Sequence, residues 1–300
     1  MNDAKFDTDV YPKIRACKDI LEGIAKRPEI GSSVVLVENE GLYEKALYGI
    51  QRVIRKLPKN GGICLILDSH GGSIDVASSI AGLCRARFGS LKVVVPFMAK
   101  SAAALIALDA DERILTFSAQ LGPVDPQVRH PETRMMFPAH SIKEALEQVE
   151  ETKDPLVKIA MADKLDPFLI GAYKDAISAA KQYIEVVVER WKVPNAEEIV
   201  SAFTDKYKSH GWPIDRNVLN ALQVPYTAAT EQVECLVCDL DEMCNDIIAD
   251  SDDEEATIIM TSREYIFTTG SYRRAEVFGP AICDPPTEDV APEATQAPAP

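Results

Sequence analysis

The sequence predicts an α/β fold built on a mainly parallel sheet. Three features carry that expectation: continuous apolar runs of strand length, amphipathic stretches of helix length between them, and glycine-rich turns at the junctions. The 300 residues are enough for one large domain with additions.

The elements follow in order. Residues 11–28 have the spacing of an amphipathic leading helix. Ser33–Val37 (SVVLV) is a β-branched run opened by Gly31. Residues 40–57 suit a helix stopped by Pro58 and the Asn60-Gly61-Gly62 turn. Ile63–Leu67 (ICLIL) is apolar throughout, as a parallel strand covered on both faces must be. It ends in Asp68-Ser69-His70-Gly71-Gly72, and Ser73–Phe88 then repeats apolar residues at helical spacing. Leu91–Phe97 (LKVVVPF) is a third strand, and Ser101–Leu108 an alanine-rich helix start. Arg113–Phe117 (RILTF) is a fourth strand, followed by the turn-rich Gln120–Gln127.

Beyond residue 139 the pattern turns helical. Residues 139–151, 155–192 and 195–204 are expected helices, with a break at Pro167 and Asn195 as an N-cap. Residues 228–255 are acidic, and Thr257–Met260 with Glu264–Thr268 read as a terminal hairpin. The expected organisation is a helical segment over 1–30, the main domain over 31–226, an acidic cysteine-containing appendage over 227–283 and a disordered tail over 284–300.

Composition narrows the function classes. A formal net charge of −15 disfavours binding to nucleic acid or an anionic membrane surface. No apolar run reaches the length of a transmembrane helix, and the N-terminus lacks the apolar stretch of a secretory signal. Seven cysteines are scattered, and Cys64 and Cys84 fall in apolar runs expected to be buried. Free thiols in a reducing cytoplasm are the expectation. Cys235, Cys238, Cys244 and Cys283 offer a possible zinc set, but free thiols are the preferred reading and no metal is expected. The acidic run over 239–255 reads as a solvated face.

Two strand-to-helix junctions carry the chemistry. At Gly71-Gly72-Ser73, paired glycines let the chain bend and bring amide N–H groups close to a ligand. At Ala99-Lys100-Ser101-Ala102-Ala103-Ala104, a serine among small residues opens a helix, and the Ala102 N–H would face an oxyanion formed on attack by Ser101. Adjacent parallel strands would bring both junctions to one carboxyl edge of the sheet, where open α/β sheets bind ligands.

LDSHGGSIDVASSIAGLCR is similar to the glycine-glycine-serine segment of the Clp protease proteolytic subunit and of signal peptide peptidase A. VVVPFMAKSAAALIALDADERILTFSAQLGPVDPQ and SHGWPIDRNVLNALQVP resemble the serine dehydrogenase proteinase family. The resemblance spans residues 30–225. It implies a Clp/crotonase-like ββα superhelix, peptide-bond hydrolysis and assembly into a homo-oligomer, with a peptide or protein as substrate and no cofactor. The serine of the family maps to Ser101 and the glycine pair to Gly71 and Gly72. One departure is Ala103, where relatives often have glycine.

A serine nucleophile needs a base. Clp subunits use a histidine downstream of the serine, but the matching stretch here, Gly122–Gln127, holds Asp125 and no histidine, and His130 lies outside it. Signal peptide peptidases use a lysine, a competent base once burial lowers its pKa. Lys174 in GAYKDAIS is the first candidate and Lys143 in HSIKEAL the alternative. Lys100 is set aside because neighbours on a helix do not face each other. His70 and Ser73 are candidate substrate contacts, and His210 reads as structural or as part of an assembly surface. Two other readings remain open: an acyl-CoA-processing enzyme on the same fold, and a non-catalytic binding or assembly module.

Overall fold

A computed structural model describes residues 1–278 apart from 2, 32, 39, 40, 60, 130–134, 140, 252, 254, 255, 270 and 271. The expected disordered tail over 284–300, Cys283 and His130 lie outside the described residues.

An α/β architecture is present. Five parallel strands form one side of an eight-stranded sheet: β1 (Val34–Glu38), β2 (Ile63–Asp68), β3 (Leu91–Val95), β4 (Glu112–Leu115) and β5 (Thr227–Ala228). Antiparallel strands β6 (Thr257–Met260), β7 (Glu264–Thr268) and β8 (Arg273–Val277) complete it, giving the order β5-β4-β3-β2-β1-β6-β7-β8. After short helical turns over Asp3–Lys5 and Phe6–Val10, the longer helices are α1 (Tyr11–Ala25), α2 (Glu44–Ile54), α3 (Ile74–Phe88), α4 (Ala102–Asp109), α5 (Ser141–Glu151), α6 (Pro155–Ala162), α7 (Pro167–Glu189), α8 (Ala196–Thr204), α9 (Arg216–Ala221) and α10 (Glu231–Ser251).

Side chains alternate across the strands, so two separate cores form. Val35, Val37, Leu65, Leu67, Val93 and Val95 pack on one face against α2, α3, α4, α7 and α8. Val34, Leu36, Cys64, Ile66 and Val94 pack on the other against α1 and α10. Burial on both faces is why these strands read as unbroken apolar runs. Helix α1 buries Ile14, Cys17, Leu21 and Ile24, and α10 buries Val233, Val237, Leu240, Cys244 and Ile247. Both sets follow the three- and four-residue spacing of one helical stripe.

Helix boundaries follow local chemistry. Ser73 Oγ accepts from Val76 N–H at the start of α3, and Gly89 ends that helix in a left-handed conformation at φ 82°. The break between α6 and α7 falls at Pro167, where Asp166 accepts from the N–H groups of Phe168 and Leu169. Asn195 does not cap α8 with its side chain; its Nδ2 donates instead to the Leu222 carbonyl.

Residues 227–283, expected as an appendage, are instead built into the domain as far as they are described. Strand β6 pairs antiparallel with β1, in the register Leu36↔Met260, and α10 covers the α1 face of the sheet. The buried Glu264 carboxylate on β7 receives Arg52 Nε at 2.7 Å and Lys56 Nζ at 2.9 Å, both from the α2 region. Most of the acidic residues of α10 lie on its outer face, Asp241 excepted, and its inner stripe of Val233, Val237, Leu240, Cys244 and Ile247 is apolar.

Candidate active site

A second, small sheet sets the site. Its three two-residue strands are Met98–Ala99, Gln120–Leu121 and Ile214–Asp215, the middle one pairing with both others. Ser101 follows the first strand, Asp125 follows the second, and His210 precedes the third. Three segments far apart in sequence are thereby aligned by backbone hydrogen bonds. The Asp125 loop is tied further by Gly122 N–H to the Ala99 carbonyl at 3.1 Å and by Val124 N–H to the Phe203 carbonyl at 2.6 Å.

Ser101 sits at the N-terminus of α4 with φ 50° and ψ −124°. A non-glycine residue there costs about 1–3 kcal/mol and persists only where its surroundings enforce it. Here α4 enforces it, because all residues from Ala102 to Leu108 are buried. Ala103 is among them, at 0% exposure, so its methyl group fills core and not the approach to the serine. Ser101 itself keeps 8% exposure and opens into a cleft of about 580 Å³.

The glycine turn abuts the serine turn. Gly71 has φ 99°, and a Cβ added there would lie 2.5 Å from the Lys100 carbonyl oxygen and 2.8 Å from Ser101 Cβ. Only glycine permits that approach. The Gly71 N–H donates to Ser69 Oγ at 3.0 Å, so this residue supplies proximity while its amide is engaged. Gly72 packs against Leu42, and both Gly72 and Ser73 line the cleft. The Ser73 hydroxyl is occupied by its capping bond to α3.

Across the cleft, His210 Nδ1 lies 2.5 Å from Asp125 Oδ1. Asp125 is 2% exposed, whereas His210 lines the same cleft as Ser101. A carboxylate on Nδ1 fixes the tautomer with its proton there and leaves Nε2 as the basic nitrogen. Tyr207 stacks on Trp212 with ring centroids 4.9 Å apart, bracketing the turn that carries His210. Tyr183 on α7 closes the cleft rim, its hydroxyl donating to Asp75 at 2.7 Å.

The lysines stand elsewhere. Helix α7 turns Ala176, Ala179 and Tyr183 to the cleft, whereas Lys174 is exposed and lies roughly opposite them around the helix. Lys143 is exposed on α5 and pairs with Glu147. Neither lines the cleft. Lys100 is half-buried, which lowers its pKa, but its Nζ is bonded to Gln120 and the Leu121 carbonyl. The structure brings together Ser101, Gly72, His70 and His210, and among the described residues no lysine lines their cleft. His210 could have been found from the SHGWPI segment, but its partner Asp125 is 85 residues away, and only the fold joins them.

Behind this cleft, on the α10 face, stands a second polar group. Glu38, Asp68 and Asp241 converge with carboxylate oxygens within 4.8 Å of one another. Burial, reinforced by Asp68 and Asp241, holds the Glu38 carboxyl well above the usual range, and burial pushes Asp68 up to about 7. Among the described residues no helix is long and apolar enough to cross a membrane.

The model of the ClpP-like SDH-type serine proteinase family matches residues 45–248. Two uncharacterised proteins of Methanocaldococcus jannaschii are 33% and 29% identical over 166 and 177 residues, covering 55% and 58% of this chain. Those matches cover 53% and 55% of the relatives, so the chain spans about half the length of the curated relatives it matches. Among solved structures, a membrane-bound stomatin-specific protease mutant in complex with a substrate peptide has a TM-score of 0.44 at 14% identity, over 66% of this chain and 75% of that one. ClpP1 from Listeria monocytogenes has a TM-score of 0.41 at 13% identity, over 74% and 96%.

Proposed function

The chain belongs to the ClpP-like SDH-type serine proteinases, and from that premise we propose that it hydrolyses peptide bonds with Ser101 as nucleophile and His210, oriented by Asp125, as general base. One observation carries the reading: a serine at positive φ opens into the same cleft as a histidine whose Nδ1 is held by a buried carboxylate.

The steps follow from these groups. His210 Nε2 takes the Ser101 Oγ proton as Oγ attacks the scissile carbonyl carbon. The Gly72 and Ala102 N–H groups receive the oxyanion, at about 3 kcal/mol per well-placed donor. Imidazolium returns the proton to the leaving amine, and water, deprotonated by the same ring, releases the acyl group from Ser101. His70 at the cleft mouth contacts the bound peptide. A lysine base is not part of this reading, because Lys174 and Lys143 are exposed outside the cleft. No step requires a cofactor.

Self-assembly and a cytoplasmic setting belong to the same proposal. Leu156, Ile159 and Phe168 on α6 and α7 are 79%, 67% and 90% exposed, an apolar surface that a second copy would cover. Cys17, Cys64, Cys84 and Cys244 are buried free thiols, as a reducing compartment favours. Sedimentation at a single-chain mass would remove the assembly proposal.

The test of the chemistry is labelling by a fluorophosphonate probe. Wild type is expected to label, Ser101→Ala to lose all labelling, and Lys174→Ala to label at the wild-type rate. Labelling that survives Ser101→Ala would sink the reading.

A further inference from the structure

We propose that Glu38, Asp68 and Asp241 bind a hard divalent cation, Ca²⁺ foremost, that pins α10 to the carboxyl ends of β1 and β2. The site does not rest on the reading of Ser101 as a nucleophile. Its ligands project from the opposite face of the sheet, and it stands whether or not Ser101 is a nucleophile.

The fold builds the site from both sides. Glu38 and Asp68 are register partners on adjacent parallel strands, so their side chains leave the sheet side by side. They share the parity of Leu36 and Ile66 and therefore face α10. Asp241 comes from α10, with Asn245 one turn later donating Nδ2 to Asp241 Oδ2 at 3.4 Å. Glu38 is 2% exposed and Asp68 4% exposed, which sets this group apart from an acidic surface patch.

The independent sign of a ligand is an unmet demand. Glu38 Oε2 and Asp241 Oδ1 are buried and have no hydrogen-bond partner among the described residues. A buried carboxylate oxygen left so costs several times a surface one. Three carboxylates converge, yet among the described residues lining the adjoining cavity of about 280 Å³ the only basic side chain is the exposed His70. Sheet and helix thus place three carboxyl groups face to face, with no protein cation between them among the described residues.

A divalent ion supplies the missing charge, and the spacing suits it. Two oxygens on opposite sides of Ca²⁺, each at about 2.4 Å, stand about 4.8 Å apart. The three ligand atoms here lie within 4.8 Å of one another. The three carboxylates form an all-oxygen set, which selects Ca²⁺, Mg²⁺ or Mn²⁺ over softer ions. The cavity leaves room for water to complete the coordination.

The test uses the full chain, stripped with EDTA and held at physiological salt to screen loose binding to its acidic surface. Mn²⁺ is titrated with electron paramagnetic resonance as the readout, and Ca²⁺ is added as competitor. The expected result is uptake of one Mn²⁺ per chain, its displacement by Ca²⁺, and a rise in melting temperature with Ca²⁺. Glu38→Gln is expected to weaken uptake by more than the about 10- to 100-fold that loss of a merely supporting group costs. The surface control Asp246→Asn, on the same helix, is expected to leave uptake unchanged. If Glu38→Gln does not fold, the half-buried Asp241→Asn takes its place. Wild type that takes up neither Mn²⁺ nor Ca²⁺ would overturn the proposal in favour of carboxyls sharing protons. Uptake that persists at full strength in Asp241→Asn and Glu38→Gln would overturn it in favour of surface binding.

Discussion

Gly71→Ala isolates the contact on which the proposed site depends. The new methyl group would meet the Lys100 carbonyl oxygen at 2.5 Å, Ser101 Cβ at 2.8 Å and Ala102 N at 3.0 Å, all belonging to the turn that presents the nucleophile. Two of these are backbone atoms and cannot swing aside, so the turns must separate by several tenths of an ångström or more. The residue also sits at φ 99°, where an L side chain costs at least about 1–2 kcal/mol. Gly61→Ala carries the same backbone penalty at φ 86° but meets nothing within 4 Å. The pair separates backbone strain from displacement of the serine. Both variants are expected to lose about 1–2 kcal/mol of stability from backbone conformation. Gly71→Ala alone is expected to slow fluorophosphonate labelling by about 100-fold, the scale of a misplacement approaching 1 Å at a reacting group. Stopped labelling time courses and thermal melts measure the two effects. If Gly71→Ala labels at the wild-type rate, or if Gly61→Ala slows labelling equally, the abutting turns are not what positions Ser101.

Further outcomes follow from the same geometry. His210→Gln is expected to slow labelling by about 100- to 10,000-fold, and Asp125→Asn also to slow it, while Lys174→Ala changes it less than twofold; a lysine base would reverse that ranking. Replacing Arg52 and Lys56 together by alanine leaves the buried Glu264 carboxylate unpaired and is expected to cost about 3 kcal/mol or more in denaturant titration, whereas adding Glu264→Gln to that pair should recover much of the loss. Burial pushes the Cys64 and Cys84 thiols up to about 12, so near pH 8 only about one in 10,000 is thiolate. Mass spectrometry after iodoacetamide treatment is expected to find the exposed Cys235 alkylated and these two untouched until the protein is unfolded.

The fold was legible where one physical signal dominated. Runs such as ICLIL and LKVVV are apolar at every position because both sheet faces are covered, and period and turn chemistry then placed the helices. What composition concealed was the place of the described residues beyond 226. Acidic residues on the outside of α10 masked its apolar stripe, and antiparallel strands after a parallel sheet look like an independent hairpin until their partner is known. Within the site, the Ser101 and Gly71-Gly72 turns were readable because glycine and small residues are needed locally. The imidazole was not readable in this way. The place where Clp subunits carry histidine here holds Asp125, and His210 reaches it only through the pairing of Gln120–Leu121 with Ile214–Asp215. Nothing in the local sequence of a two-residue strand announces that pairing. The Glu38–Asp68–Asp241 group was hidden for the same reason: Glu38 and Asp68 end strands, Asp241 sits in the middle of α10, and their convergence is a property of register and packing.

Register also joins the two polar groups across the sheet. Asp68 Oδ2 accepts from the Met98 N–H at 3.0 Å, and the Lys100 N–H donates to the Ser69 carbonyl at 2.9 Å. The strand end that carries the acidic group thus holds the segment leading into Ser101 by consecutive bonds. Asp68 is therefore a positioning residue for a serine on the opposite face. Asp68→Ala removes the acceptor and leaves the partly buried Met98 N–H without it, at about 1 kcal/mol. Asp68→Asn keeps a carbonyl oxygen that can accept from Met98. Labelling of Ser101 is expected to slow markedly in the alanine variant and to recover in the asparagine variant, with Mn²⁺ uptake weakened in both. That split matters because removal of a ligand predicts equal effects on uptake, whereas removal of the acceptor predicts unequal effects on labelling. Equal labelling in the two variants would mean that the Met98 bond does not transmit position to the nucleophile, and the strand edge would then serve its two faces separately.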